Sequence, residues 1–177
     1  MKKAVCECFW GLGDSYTDTA SGEPLLRQKI AALGVETPPI WNHFDQAAAA
    51  AAARAIYSHA PGTLIFALAI SCGANALARL IQLVSPIKLA GVFAIAPSVW
   101  CNSGQPAIGD NAPNFWVFNG PYWSLPFPGL SAYQPQRVAG SKAPPIVRRT
   151  SPMMHPCDFD VPNVQNPILA EIGRLIA

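Results

Sequence analysis

The chain has 177 residues, 51% of them hydrophobic and only 12% charged, with a net charge of +2. That length suits a single domain, 1–177, with a sizeable buried core. The charge balance and the lack of any Lys/Arg cluster with interleaved aromatics speak against nucleic-acid binding, and no apolar run is long enough for a membrane span.

Met1-Lys2-Lys3 followed by apolar residues superficially resembles a leader peptide. Glu7 breaks the run and no small-residue cleavage site follows, so residues 4–10 (AVCECFW) are predicted as a first strand. Cys6 and Cys8 then share one face of it as small core residues. The loop Gly11–Asp18 comes next. A helix is predicted over 22–33, with Ser21 as a possible N-cap, Pro24 in the first turn and an apolar stripe of Leu26, Ile30 and Leu33. Gly34 is placed to end it in a left-handed conformation.

Val35–Trp41 reads as a short extended segment, an edge strand at best because of Pro38-Pro39. Asp45 is a possible cap for a helix over 46–59, whose run Ala47–Ala53 is a strong helix former. A strand at 63–70, a turn at 71–73 and a helix at 74–84 follow. Residues 88–96 and 114–119 read as further buried strands, with loops at 101–113 and 120–144. A last strand is expected at 145–150, where Arg148-Arg149 looks like a solvated strand end. A helix at 163–176 closes the chain.

Strands thus alternate with helices, and several strands are continuous apolar runs. Both facts predict an α/β fold: a three-layer α/β/α sandwich around a mostly parallel sheet of about five or six strands. Ligands of such sheets sit at the carboxyl ends of the strands. Ser71, the Gly11–Asp14 loop, Pro97-Ser98 and Asn119 all fall there.

The segment 63–85, TLIFALAISCGANALARLIQLVS, carries the strongest functional signal. An apolar strand turns sharply into a helix with a serine at the apex. This is the form of a nucleophile elbow, although Ala69 stands where Gly-x-Ser-x-Gly has its first glycine. An ordinary strand–helix turn that happens to contain a serine is the plain alternative. A serine nucleophile needs a base, and the chain holds three histidines: His43, His59 and His155. His43 and His59 flank the alanine-rich helix, as surface or loop residues. His155, in the loop between the last strand and the last helix, is the candidate base. The N–H of Cys72, with backbone from Leu12 and Gly13, would form an oxyanion hole.

Three stretches together resemble the small, capless α/β-hydrolases of compact bacterial serine-hydrolase type. They are the strand, Gly-x-Gly-Asp loop and helix of Gly11–Val35; Ser71-Cys72-Gly73-Ala74-Asn75; and His155-Pro156-Cys157-Asp158-Phe159-Asp160 before the terminal helix. The resemblance implies hydrolysis of a small ester-like molecule or similar acyl bond through an acyl-enzyme on Ser71, without metal or organic cofactor. It also implies an acid after a later strand. Here strand 88–96 runs into Ala96-Pro97-Ser98 and strand 114–119 ends in Asn119, so Asp158 and Asp160 are the best candidates. Asp110 could come in from its loop, and Asn119 could orient the imidazole without charge.

Two other readings stay open. Gly13-Asp14-Ser15-Tyr16-Thr17-Asp18 resembles the first block of GDSL esterases, with Ser15 as nucleophile. Pro152 stands where that family has an Asp three residues before its histidine. Alternatively, Ala69 and the missing strand-end acid suit a catalytically degenerate hydrolase fold that serves as a binding module. The aromatics Trp100, Trp116, Tyr122, Trp123 and Phe127 suit either an apolar acyl pocket or loop packing. The five cysteines are an odd number without metal or disulfide spacing, which predicts reduced thiols, no metal site and a cytoplasmic setting.

Overall fold

The structure is a computed structural model, and it describes residues 2–9, 22–38, 46–97, 107–120, 135–153 and 160–177. Strand β1 (Ala4–Phe9) is followed by α1 (Gly22–Ala32), α2 (Gln46–Ser58) and β2 (Leu64–Ile70). Then come α3 (Gly73–Leu83), β3 (Gly91–Ile95), β4 (Ala107–Ile108), β5 (Phe115–Asn119), β6 (Gln136–Arg137) and β7 (Val147–Thr150). A five-residue π-helical turn (Val161–Gln165) leads into α4 (Asn166–Ile176).

Five strands form one sheet in the order β1-β2-β3-β5-β7, and every pairing is parallel. The register runs Ala4 against Leu64, Phe66 against Gly91, Val92 against Phe115 and Trp116 against Val147. Because side chains alternate across a strand, the apolar runs feed both faces at once. On one face Val5, Phe9, Ala67, Ala69, Val92, Ala94, Phe115 and Val117 pack under α2 and α3. On the other, Cys6, Cys8, Phe66, Leu68, Phe93, Ile95 and Phe118 pack under α1 and α4. This is the expected α/β/α sandwich.

The alanine-rich helix owes its place to its small side chains. Ala48, Ala49, Ala52 and Ala53 are buried, so α2 lies closely against α3 and the sheet. Gly34 ends α1 at φ 83, in the left-handed region that an L side chain disfavours. The chain then brings Glu36 beside β1, where it bridges Val5 and covers part of that edge. Ser21, Asp45 and the stretch 39–41 lie outside the described residues.

Three expectations change. The stretches 101–113 and 120–144 contain a small parallel pair, β4 against β6, where only loop was expected. Two-residue strands carry no periodicity to detect. The last helix begins with a π-helical turn two residues earlier than expected, because Asp160 caps it and accepts from Asn163 N at 3.0 Å. Arg149 is more than a solvated strand end: its guanidinium lies 4.9 Å from the Trp116 ring centroid.

Candidate active site

Ser71 follows directly on β2, and Gly73 opens α3 two residues later. Its φ is 47°, a left-handed value unusual for a residue with a side chain. Such strain persists only where the surroundings impose it. Here they do. Ser71 N donates to Ile95 O at 2.9 Å, continuing the β2–β3 ladder, while Ser71 O already accepts from Ala74 N at 3.2 Å as the helix begins. The residue is thus the last of the strand by its N–H and the first of the helix by its carbonyl. Ala69, in place of the usual glycine, is fully buried on the sheet face under α2 and α3, and the turn is made all the same.

Cys72 sits at the N-cap of α3 with helical dihedrals, φ −63° and ψ −22°. Its side chain makes no capping hydrogen bond; Ala74 N and Asn75 N in the first turn donate instead to the carbonyls of Ser71 and Cys72, at 3.2 and 3.1 Å. Cys72 is disulfide-bonded. This corrects the expectation of reduced thiols throughout, which holds for Cys6 and Cys8 alone among the described cysteines. Those two are fully buried with their Sγ atoms 3.9 Å apart, and that contact together with burial pushes the Cys8 thiol well above its usual pKa. No spacing rule pairs Cys72 with a distant cysteine, so its bond had no local signal.

The carboxyl edge of the sheet continues past the strand ends as a row of hydrogen bonds. Ser71 N reaches Ile95 O, Ala96 N reaches Phe118 O at 2.7 Å, and Ser151 N reaches Asn119 O at 2.7 Å. Ala96 shares the left-handed conformation of Ser71, with φ 42°. Ser71, Ala96, Asn119 and Ser151 therefore stand along one edge. Two buried polar atoms on these segments have no hydrogen-bond partner among the described residues: the acceptor Asn119 Oδ1 and the donor Asn75 Nδ2, in the first turn of α3.

Asp160, proposed from sequence as an acid, is buried, with 1% of its surface exposed. One carboxylate oxygen accepts from Asn163 N and the other from the Ser151 hydroxyl. It caps the terminal helix and ties that helix to the end of β7. Ser151, which sequence reasoning passed over, is equally buried and also accepts from Met153 N at 3.0 Å. Leu12, Gly13, Ser15, His43, His155 and Asp158 lie outside the described residues.

Asp110 is corrected as a possible acid. Leu89 N donates to Asn111 O at 2.7 Å and Asn111 Nδ2 to Ile81 O at 2.8 Å, which places the 109–112 turn where β3 and β5 begin. Ser71, bonded to Ile95, stands at the other end of the strands, about 20 Å away along them. His59, between α2 and β2, is at that same amino edge and is no candidate base. Of the aromatics considered for an acyl pocket, Trp116 packs against the core beside Phe93 and Phe118, 6.3 and 6.1 Å between ring centroids. Trp100, Tyr122, Trp123 and Phe127 lie outside the described residues.

Among the described residues no group of three His, Cys, Asp or Glu could hold a metal ion, and no helix is long and apolar enough to cross a membrane.

No protein-family model matches the chain, and no curated protein matches it. Solved structures do. The chain is similar to an α/β serine hydrolase without lid from Xanthomonas campestris, at 14% identity and TM-score 0.56, over 99% of this chain and 81% of that one. A cutinase-like protein from Cryptococcus sp. matches at 13% identity and TM-score 0.44, over 98% and 89%. An acetyl xylan esterase matches at 12% identity and TM-score 0.44, over 99% and 95%. The first of these carries the comparison, and its sequence is distant enough that the likeness speaks to architecture alone. With its parallel five-stranded sheet, two helical layers and sharp turn at Ser71, this chain has the fold of the small α/β-hydrolases.

Proposed function

We propose that the chain is a serine hydrolase that cleaves carboxylic esters or similar acyl bonds of small molecules. The observation that carries this reading is Ser71 held at φ 47° between a strand and a helix. Its hydroxyl attacks the acyl carbonyl and its proton passes to the imidazole of His155. The developing oxyanion takes N–H donors from Cys72 and from Leu12 or Gly13. The alcohol leaves with the proton from His155, and water then releases the acid from Ser71. The carboxylate proposed to orient His155 is Asp158 or Asp160. Both oxygens of Asp160 already have donors, although a carboxylate has room for further bonds.

The reading takes 1–177 as one domain and a small ester-like molecule, not a nucleic acid, as its partner. A cytoplasmic compartment is supported by the free thiols of Cys6 and Cys8 and opposed by the bonded Cys72.

One observation favours a second reading, a degenerate fold used for binding. The β5 strand ends in Asn119, a neutral side chain whose Oδ1 has no donor among the described residues, where the resemblance implies an acid nearby. A fluorophosphonate probe separates the two. Stoichiometric labelling that is lost in Ser71→Ala and kept in Ser15→Ala is the expected result. Labelling lost only in Ser15→Ala would move the nucleophile to the first loop, and no labelling at all would favour binding.

A further inference from the structure

We propose that the outer edge of β7 is a docking site for an extended peptide segment that carries two adjacent carboxylates beside an apolar residue. β7 ends the sheet order: one of its backbone edges pairs with β5, and no described strand pairs with the other. Val147, Arg148, Arg149 and Thr150 are all exposed. The stretch 135–153 around them is chemically one-sided. It holds four of the chain's 12 Lys and Arg residues and none of its 10 Asp and Glu residues. It also holds Val138, Val147 and Met153, three of the four large hydrophobic side chains exposed among the described residues, at 38, 37 and 42%. Asp110, an acid bonded to this stretch, accepts from Ser141, Lys142 N and Ala143 N, ahead of the strand.

Charges alone are one way to keep an edge strand from pairing. An edge guarded in that way gains nothing from an exposed valine and methionine beside the charges, whereas a strand that takes a partner uses both. The register fixes what the partner must carry. Val147 and Arg149 pair with Trp116 and Phe118, so they lie on the sheet face under α1 and α4, while Arg148 pairs with Val117 and lies on the opposite face. Both guanidinium groups are held at the edge, Arg148 Nη2 by Pro135 O at 2.7 Å and Arg149 at 4.9 Å from the Trp116 ring centroid. Residues directly across a ladder project to the same face. The matching segment therefore places an apolar residue opposite Val147 and acids opposite Arg148 and Arg149. It reads Val-Glu-Glu when parallel to β7 and Glu-Glu-Val when antiparallel. Main-chain hydrogen bonds to the open edge supply attachment, and these side chains supply the choice of partner. A second copy of this strand fits badly, because antiparallel edge pairing sets the arginines of one chain against those of the other. A nucleic acid has no strand backbone to offer the edge.

The test uses the full chain and the peptide acetyl-Thr-Val-Glu-Glu-Val-Thr-amide, which reads the same in both directions and so serves either orientation. An NMR titration up to about 5 mM peptide is expected to show saturable binding. Raising NaCl from about 0.05 to 0.5 M is expected to weaken it by about tenfold or more. Acetyl-Thr-Val-Lys-Lys-Val-Thr-amide is expected not to bind, and replacing both valines of the acidic peptide by serine is expected to weaken it by about threefold or more. Amide hydrogen exchange across 147–150 is expected to slow by about tenfold or more at saturation, which side-chain contact alone would not cause. The double variant Arg148→Glu/Arg149→Glu is expected to lose the acidic peptide and to gain the lysine one. The peptide comparisons leave the protein untouched, so they decide the matter even if that variant does not fold. No saturable binding, equal binding of the Glu and Lys peptides, or unchanged exchange at 147–150 overturns the proposal. Tighter binding of a thymidine oligonucleotide than of the acidic peptide also overturns it, and assigns the edge to a polyanion. None of these residues belongs to the proposed catalytic machinery, so labelling of Ser71 stands or falls separately.

Discussion

Ser71 holds a backbone conformation that most side chains avoid, so its identity costs the fold some stability. A left-handed residue with a Cβ is strained by about 1 kcal/mol relative to glycine. Ser71→Gly is therefore expected to raise the melting temperature by about 2–4 °C, while Ser71→Ala, which keeps the Cβ, leaves it nearly unchanged. Differential scanning calorimetry on both variants reads the difference. Equal melting temperatures for the two would mean that the turn imposes no strain. Asp110, at the opposite end of the sheet, offers a pH test. The Ser141 hydroxyl, joined by the Ala143 and Lys142 N–H groups, holds its carboxyl below the ordinary carboxylate range. A depressed pKa stabilises the fold above the ordinary value and that contribution fades as pH falls through the depressed one, below about pH 4. Ser141→Ala removes the largest lowering influence, so the Asp110 carboxyl is expected to titrate at higher pH in carbon-detected NMR. Ser71 was legible from the apolar run that ends in it. Ser151 was not, because its partner is set by how β7 and the terminal helix are brought together.

The strands and helices large enough to show a period were legible as well. Helices at 22–33, 46–59 and 74–84 were expected, and α1, α2 and α3 fall within a residue or so of those bounds. The pair β4 and β6 was invisible because its order comes from one side chain rather than from a pattern. Arg137 donates to Pro144 O, Ala112 O, Gly109 O and Pro113 O at 3.0, 2.8, 3.3 and 2.8 Å, sewing the two turns together. A lysine cannot reproduce that planar fork. Arg137→Lys is expected to cost about 1–2 kcal/mol, since several carbonyls lose a charged donor. The melting temperature would then fall by about 2–8 °C. An unchanged melt would show that water replaces those bonds without loss. The edge strand β7 is similarly decided by context: Arg148 Nη2 donates to Pro135 O at 2.7 Å and Arg149 covers Trp116, neither readable from two adjacent arginines.

Across the fold, the thiol chemistry divides by location. Cys6 and Cys8 are sealed under α1 and α4, while the bonded Cys72 stands at the start of α3, one residue from the proposed nucleophile. Alkylation of the unreduced, unfolded protein followed by peptide mass spectrometry is expected to modify Cys6 and Cys8 and to spare Cys72 until a reductant is added. Alkylation of Cys72 without reductant would restore the all-thiol reading. Continuous apolar strands alternating with amphipathic helices were enough to specify a parallel sheet covered on both faces, since each run had two sides to bury. They were enough, too, to mark where the chain turns at Ser71. Local patterns act over a few residues and carry that much. The row of groups along the carboxyl edge, the burial of Asp160 against Ser151 and the removal of Asp110 to the far edge depend on contacts between segments distant in sequence. Those contacts exist only once the sheet order is set, and no short-range preference encodes them.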